Sequence, residues 1–397
     1  MPQLSELSRQ MPASPIRKLV PYADEAKKRG IKIYHLNIGQ PDIKTPRNVL
    51  EKMKNIDLDI IAYTKSQGYD SYREKLAEYY RRNQIDVTAD DIIITTGGSE
   101  ALLFSVGSIA DPGDEIIIPE PYYANYNSFV TLFKVKVVPV PSSIDDNFAL
   151  PPVEALEKMI TPRTKAILYS NPSNPTGYVY TEEEVKKLRD LALKHDIFII
   201  SDEVYREFIY EGDGHHSILH EEGMDRHAII IDSVSKRYSM CGARIGCVVS
   251  KNKELMKSVL KFAQARLSPP AVEQILSEEA LHTPQSYFDE VIDEYKKRRD
   301  LLIKELSSID GLKIGHPKGA FYLMAELPVD DADQFAKWML SEFNDNGETV
   351  MVAPASGFYS DPVLGKKQVR IAYVLNTRDL ARSVEILRKA LDTYNKR

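Results

Sequence analysis

Four short segments carry residue types that could do chemistry, each following an apolar run. Gly97-Gly98-Ser99-Glu100-Ala101-Leu102 is a glycine turn opening a helical pattern, and the free N–H groups at such a helix start suit a phosphate. Asn171-Pro172-Ser173-Asn174-Pro175-Thr176-Gly177 is a proline-stiffened turn presenting two side-chain amides. Asp202-Glu203-Val204-Tyr205 offers a carboxylate and a phenol, and Ser233-Val234-Ser235-Lys236 ends in an amine beside two hydroxyls. Each has a plainer explanation. Gly-Gly-Ser makes a turn and cap, Asn-Pro pairs make tight turns, Asp202 can cap a helix, and Lys236 can be a solvated surface charge. Their occurrence at successive strand ends favours one shared site holding a phosphate cradle, an amide, a carboxylate, a phenol and a lysine.

The elements that must position these groups follow from the hydrophobic pattern. Apolar runs at Ile92-Thr95, Glu115-Ile118, Val135-Val138, Lys165-Tyr169, Phe198-Ser201, Ala228-Asp232 and Ile245-Val249 predict strands buried on both faces. Amphipathic stretches lie between them, such as that opened by Thr181-Glu182-Glu183-Glu184, where a threonine cap and acids suit the positive end of a helix. The alternation predicts an α/β fold, a mainly parallel sheet covered by helices, with ligands bound beyond the carboxyl ends of the strands. After about residue 285 the pattern changes to a long charged helix through Tyr295-Lys296-Lys297-Arg298-Arg299. Short strands follow near Ala320-Ala325, Val350-Val352 and Val369-Tyr373. This predicts a smaller α+β domain built from the two chain ends. Residues 1–44 form an arm and part of that domain, 45–285 the large domain, and 286–397 the C-terminal part, with a strand near Ile33-Leu36 joining it.

Bulk properties bound the function. A chain of 397 residues with 43% apolar content can bury a large core. Its 52 basic and 58 acidic residues are spread along the length, giving a net charge of -6 with no basic face, so nucleic acid and anionic membrane are not expected partners. Met1-Pro2-Gln3-Leu4-Ser5-Glu6 lacks the basic start and apolar core of a signal peptide, and no stretch has the length of a membrane span, so a cytoplasmic location is expected. The two cysteines, Cys241 and Cys247, suggest neither a disulfide framework nor a zinc knuckle.

The ordered set of motifs resembles the fold type I pyridoxal phosphate enzymes, specifically the class I/II aminotransferases related to aspartate aminotransferase. Besides the four segments, the resemblance rests on Leu36-Asn37-Ile38-Gly39-Gln40-Pro41-Asp42, Tyr63-Thr64, Gly242-Ala243-Arg244-Ile245-Gly246 and Val369-Arg370-Ile371-Ala372, and it covers essentially the whole chain. It implies that Lys236 holds the cofactor as a Schiff base and, when released, moves the proton between substrate and cofactor. Asp202 would pair with the pyridinium nitrogen and keep the ring an electron acceptor. Asn174 and Tyr205 would hydrogen-bond the phenolic oxygen, and Tyr123 would stack on the ring. The phosphate would sit among Gly98, Ser99, Ser233, Ser235 and Arg244, with Tyr63 supplied by the second subunit of a homodimer. Arg370 would clamp the substrate α-carboxylate, near Gly39 and Asn174.

Substrate choice is carried by scattered residues. Arg266, in Ala265-Arg266-Leu267-Ser268-Pro269-Pro270, falls where relatives reach the partner subunit's pocket, and would bind a distal carboxylate; Ile16 would add an apolar wall suited to aromatic substrates. The expectation is transfer from aspartate to a 2-oxo acid such as 2-oxoglutarate by a ping-pong mechanism, with tyrosine or phenylalanine as the alternative donors. Carbon–sulfur lyases, racemases and decarboxylases share the same anchoring. His215, His216, His220 and His227 lack a paired metal-ligand spacing and are expected on a solvated loop, with no metal. A nicotinamide dehydrogenase would need a Gly-x-Gly-x-x-Gly turn that the chain lacks, and a transcriptional regulator would need a DNA-binding unit for which the N-terminal segment is too short.

Overall fold

Runs such as Ile92-Ile93-Ile94 and Ile229-Ile230-Ile231 form strands because branched side chains pack well on a pleated surface, and because successive residues can reach opposite apolar layers. The computed structural model describes residues 2–12 and 14–397; Met1 and Ala13, both within the expected N-terminal arm, lie outside the described residues. The strands are β1 (Lys32–His35), β2 (Ile92–Thr95), β3 (Glu115–Glu120), β4 (Lys136–Pro141), β5 (Thr164–Ser170), β6 (Phe198–Asp202) and β7 (Ala228–Ser233). They continue with β8 (Gly246–Val249), β9 (Lys313–Ile314), β10 (Tyr322–Glu326), β11 (Glu348–Met351), β12 (Ala353–Pro354) and β13 (Gln368–Ala372). The seven runs predicted for the large sheet all form strands, displaced by at most three residues at either end, the largest shift being the end of β4.

Those seven strands make one sheet in the order β2-β8-β7-β6-β5-β3-β4. Alternate residues feed two separate cores: Ile92, Ile94, Ile117, Ile167, Ile199 and Ile230 pack on one side, and Ile93, Ile116, Ile118, Leu168, Ile200 and Ile231 on the other. Helices cover both faces, which is why the strands show no polar alternation. All neighbouring strands are parallel except β8, which runs antiparallel to both β7 and β2. Its first residue, Gly246, lies opposite both Ser233 and Thr95, so the start of β8 and the ends of β7 and β2 share one edge. The helix Glu182–His195 begins with the expected cap: the Thr181 hydroxyl accepts from the Glu184 N–H at 3.2 Å, and the Glu184 carboxylate accepts from the Thr181 N–H at 2.8 Å.

The smaller unit has a four-stranded antiparallel sheet, β12-β13-β10-β9, and a parallel pair of β1 with β11. Leu19, Ala23, Tyr34 and Leu36 from the N-terminal end share a core with Leu302, Phe335, Val350, Ile371 and Leu387 from the C-terminal end. Tyr205 and Phe208 of the large sheet's loops belong to the same core, so the segment after Asp202 is seated against the smaller unit. Among the described residues no helix is long and apolar enough to cross a membrane.

Candidate active site

A cavity of about 650 Å³ opens at the shared edge of β2, β8, β7 and β6 and is closed by the smaller unit. Its wall carries Gly98, Ser99, Tyr123, Asn174, Asp202, Tyr205, Ser233, Ser235, Lys236, Arg244, Gly39 and Arg370. Twelve of the fourteen residues singled out in the sequence are therefore brought together; Tyr63 and Arg266 are not.

Lys236 sits in a single helical turn, Val234–Arg237, directly after β7. The turn is fixed by its neighbour: Arg237 is buried and donates to the Asp232 carboxylate at 2.7 Å, which also accepts from the Tyr80 hydroxyl at 2.8 Å. Lys236 faces the cavity instead. Its Nζ donates to the Gly39 carbonyl at 2.8 Å, lies 3.8 Å from the Cys241 Sγ, and has no carboxylate partner among the described residues. Gly39 must lack a side chain here, because a Cβ would fall 1.7 Å from the Tyr322 hydroxyl oxygen.

Asp202 ends β6 and is buried. Burial pushes its carboxyl up to about 6, although the Tyr126 hydroxyl, donating at 2.7 Å, and the Val204 N–H oppose the shift. The next residue does the reverse. Glu203 is fully buried as well, yet His215, Arg206 and the Ser217 hydroxyl outweigh the burial and hold it down at about 2. The His215 ring nitrogen lies 2.9 Å from the Glu203 carboxylate and its side chain is only 7% exposed, so this imidazole packs inside against Glu203 instead of facing solvent. His216, His220 and His227 are each taken up by Glu221, the Asn83 carbonyl and Asp196.

The Tyr205 hydroxyl lies 2.7 Å from that of Tyr322, and burial, followed by this neighbour, pushes the Tyr205 phenol well up. Tyr123 is similarly pushed up to about 12 by burial. Arg370, 2% exposed, donates to the Asn174 side-chain oxygen at 3.0 Å and to the Asn37 carbonyl at 2.7 Å, with Tyr322 stacked 4.4 Å from the guanidinium carbon. Its Nε is buried with no hydrogen-bond partner among the described residues.

At the other end of the cavity the donors suit a phosphate. Gly97 starts the helix Gly97–Ile109, and a Cβ on it would fall 2.5 Å from an Arg244 Nη, so the guanidinium lies against the helix start. The Ser233 and Ser235 hydroxyls lie 2.7 Å apart. Arg244 donates only to the Cys241 carbonyl, at 3.1 Å, and pairs with no carboxylate among the described residues. Helix N–H groups, hydroxyls and an uncommitted guanidinium form a donor set without a counter-anion, which fits a phosphate ester.

Tyr63 is 80% exposed and lies off the cavity wall of its own chain, in an exposed apolar stretch with Ile60 and Ile61. Arg266 does not reach the cavity of its own chain. At the end of the helix Lys253–Arg266 its guanidinium is consumed by Glu100 at 2.9 Å, the Ser66 carbonyl at 2.9 Å and the Ile94 carbonyl at 3.3 Å. Three contributors escaped the sequence reading: Tyr126, which holds Asp202; Tyr322, which holds Tyr205 and stacks on Arg370; and the Asn37 carbonyl. Among 22 tyrosines no local signal marks the first two.

Comparison with known proteins gives concordant results. Residues 31–387 match the model of the family described as aminotransferase class I and II. The chain is 32% identical to an aspartate aminotransferase of Pyrococcus horikoshii over 91% of each chain, and 32% identical to aromatic-amino-acid aminotransferase 2 of Thermococcus litoralis over 98% of each. Among solved structures, the Thermus thermophilus aspartate aminotransferase with maleate superposes with a TM-score of 0.89 at 31% identity, covering 98% of this chain and all of that one.

Proposed function

The chain belongs to the class I and II aminotransferases and is a pyridoxal-phosphate-dependent enzyme of that kind, and from that premise we propose that it moves the amino group of aspartate to a 2-oxo acid such as 2-oxoglutarate in a ping-pong cycle. The observation that carries the reading is the presence in one cavity of Lys236 without an acid partner and of Arg370 with a buried, unpartnered nitrogen. Bound pyridoxal phosphate would supply an electron-withdrawing ring that accepts the electron pair released when the substrate loses its α-proton.

The chain's own residues then have distinct tasks. Gly98, Ser99, Ser233, Ser235 and Arg244 would hold the phosphate, and Tyr123 would pack against the ring. Asp202, ionised beside a ring N–H, would keep that nitrogen protonated, with Tyr126 holding the carboxylate in place. Asn174 and Tyr205 would donate to the ring hydroxyl oxygen. Lys236 would anchor the cofactor and, once free, carry the proton, an acid–base role for which its flexible amine suits it. Arg370 would bind the α-carboxylate and so orient the proton to be removed.

A homodimer is part of the proposal, with Tyr63 reaching the phosphate of the second copy; its exposure beside Ile60 and Ile61 supports a covering partner. We also propose the division into 1–44, 45–285 and 286–397, supported by the shared core of the two ends. A second reading, an aromatic donor, is favoured by Ile16 and Leu102 on the cavity wall. The test is a half-reaction screen: enzyme mixed with single amino acids, following conversion of the cofactor from aldehyde to amine form. Fastest conversion by aspartate supports the proposal, fastest conversion by phenylalanine or tyrosine selects the second reading, and release of ammonia with no amine-form cofactor would instead make it a lyase.

A further inference from the structure

The cavity wall holds four cationic side chains, Arg17, Lys236, Arg244 and Arg370, against one carboxylate, Asp202. Three of the four have tasks: Arg244 at the phosphate end, Arg370 at the α-carboxylate and Lys236 at the cofactor. Asp202 is matched by the ring nitrogen. Arg17 is left over, and we propose that it receives the second carboxylate of dicarboxylic substrates. This inference rests on the aminotransferase reading above and names the residue that would give it a preference for aspartate and 2-oxoglutarate.

The surrounding structure supports that assignment. Arg17 lies in a turn closed by its own N–H to the Ser14 carbonyl at 3.1 Å and by the Val20 N–H to its carbonyl at 3.0 Å. Its neighbours anchor this turn from outside the cavity: Lys18 forms an ion pair with Asp333 and donates to Ser356 at 3.3 Å, and Leu19 is buried in the core of the smaller unit. Arg17 is exposed, lines the cavity, and its side chain makes no hydrogen bond or ion pair with the described residues, so its charge is available at the cavity without being consumed there. The contrast with Arg266 is direct, since that guanidinium already faces Glu100 and two carbonyls. A planar guanidinium free to pair in two-pronged fashion is the group best matched to a carboxylate.

The test compares wild type, Arg17→Met and Arg17→Lys as cofactor-loaded enzymes. Two ratios are read: kcat/KM for aspartate over alanine in the half-reaction, and affinity for succinate over butyrate as unreactive probes, the second needing no turnover. Loss of a charge-assisted carboxylate contact predicts that both ratios fall by roughly 10- to 100-fold in Arg17→Met, with Arg17→Lys recovering part of the loss. Unchanged cofactor absorbance and melting profile exclude a folding defect. If wild type prefers dicarboxylates and Arg17→Met keeps the same ratios, the Arg17 assignment is overturned while the enzyme's substrate class stands. If wild type itself shows no preference for succinate over butyrate, the aspartate reading fails and takes the role of Arg17 with it.

Discussion

Replacing Asp202 by asparagine separates what this carboxyl does for chemistry from what it costs the fold. The side chain is 6% exposed, and burial raises its pKa from 3.8 to about 6. Below 3.8 the folded and unfolded chains both hold the proton and nothing is lost. As pH rises from there towards 6, the unfolded chain releases its proton first, so stability falls; above 6 the loss is complete. A shift of about two units at 1.36 kcal/mol each amounts to roughly 3 kcal/mol at neutral pH. With about 2.1 cal/mol/K of unfolding entropy per residue over 397 residues, that corresponds to roughly 3–4 °C. Asparagine keeps the volume and the acceptor for Tyr126, gives up only the long Val204 N–H contact at 3.4 Å, and carries no charge. Cofactor-free Asp202→Asn is therefore expected to melt roughly 3–4 °C above cofactor-free wild type near pH 7.5, with the gap closing towards pH 4, in thermal scans across that range. Loaded with cofactor, the order reverses, because only the wild-type carboxylate meets a ring N–H, and the variant loses most of its transamination rate. A variant melting at or below wild type at neutral pH, or a gap independent of pH, would refute the argument.

Lys236→Ala removes the only amine on the wall among the described residues, so borohydride treatment of the cofactor-loaded variant should trap no covalent adduct; mass spectrometry finding one attached would reassign the anchor. Gly246→Ala puts a Cβ 2.6 Å from the Gly97 carbonyl carbon and 2.7 Å from both the Asp232 carbonyl and the Gly98 nitrogen, so β8 must move away from the phosphate end. A stability loss of about 1–3 kcal/mol or more is expected, with weaker cofactor retention in equilibrium dialysis. Arg266→Ala removes the ion pair of Glu100, which keeps only the Thr96 N–H, and strips the Ser66 and Ile94 carbonyls of their donor, so it should cost about 1–3 kcal/mol in denaturant titration while the aspartate-to-alanine ratio holds; a collapse of that ratio would return Arg266 to the substrate.

The legible parts of the site were those in which one short string supplies both a residue and its placement. Gly97-Gly98-Ser99, Asn174 and Asp202 each follow an apolar run, so finding the strand finds the loop, and strand ends in such sheets converge by topology. Tyr126 and Tyr322 reach Asp202 and Tyr205 only through tertiary packing, across 76 and 117 residues of chain, and periodicity carries no signal for such a contact. Lys236 and Arg237 show the same limit at closer range. Two adjacent cations look equivalent as letters, yet the buried Asp232 takes Arg237 into the core and the one-residue offset sends Lys236 to the cavity.

The direction of β8 matters most for the chemistry and was the least visible. Its residues, Gly246-Cys247-Val248-Val249, are as apolar as those of the sheet's parallel strands, so composition cannot say which way the strand runs. The connection decides it: the twelve residues between β7 and β8 are taken up by the lysine turn, Val234–Arg237, and a short turn at Cys241–Ala243, which leaves no helix for the crossover a parallel return requires. The chain must turn back at the edge where β7 ended. Arg244 therefore arrives at the phosphate end from the beginning of a strand, while Gly98, Asp202 and Lys236 arrive from the ends of theirs. Lengthening this connection would leave each side chain's chemistry intact and still remove the guanidinium from the anion it is placed to meet.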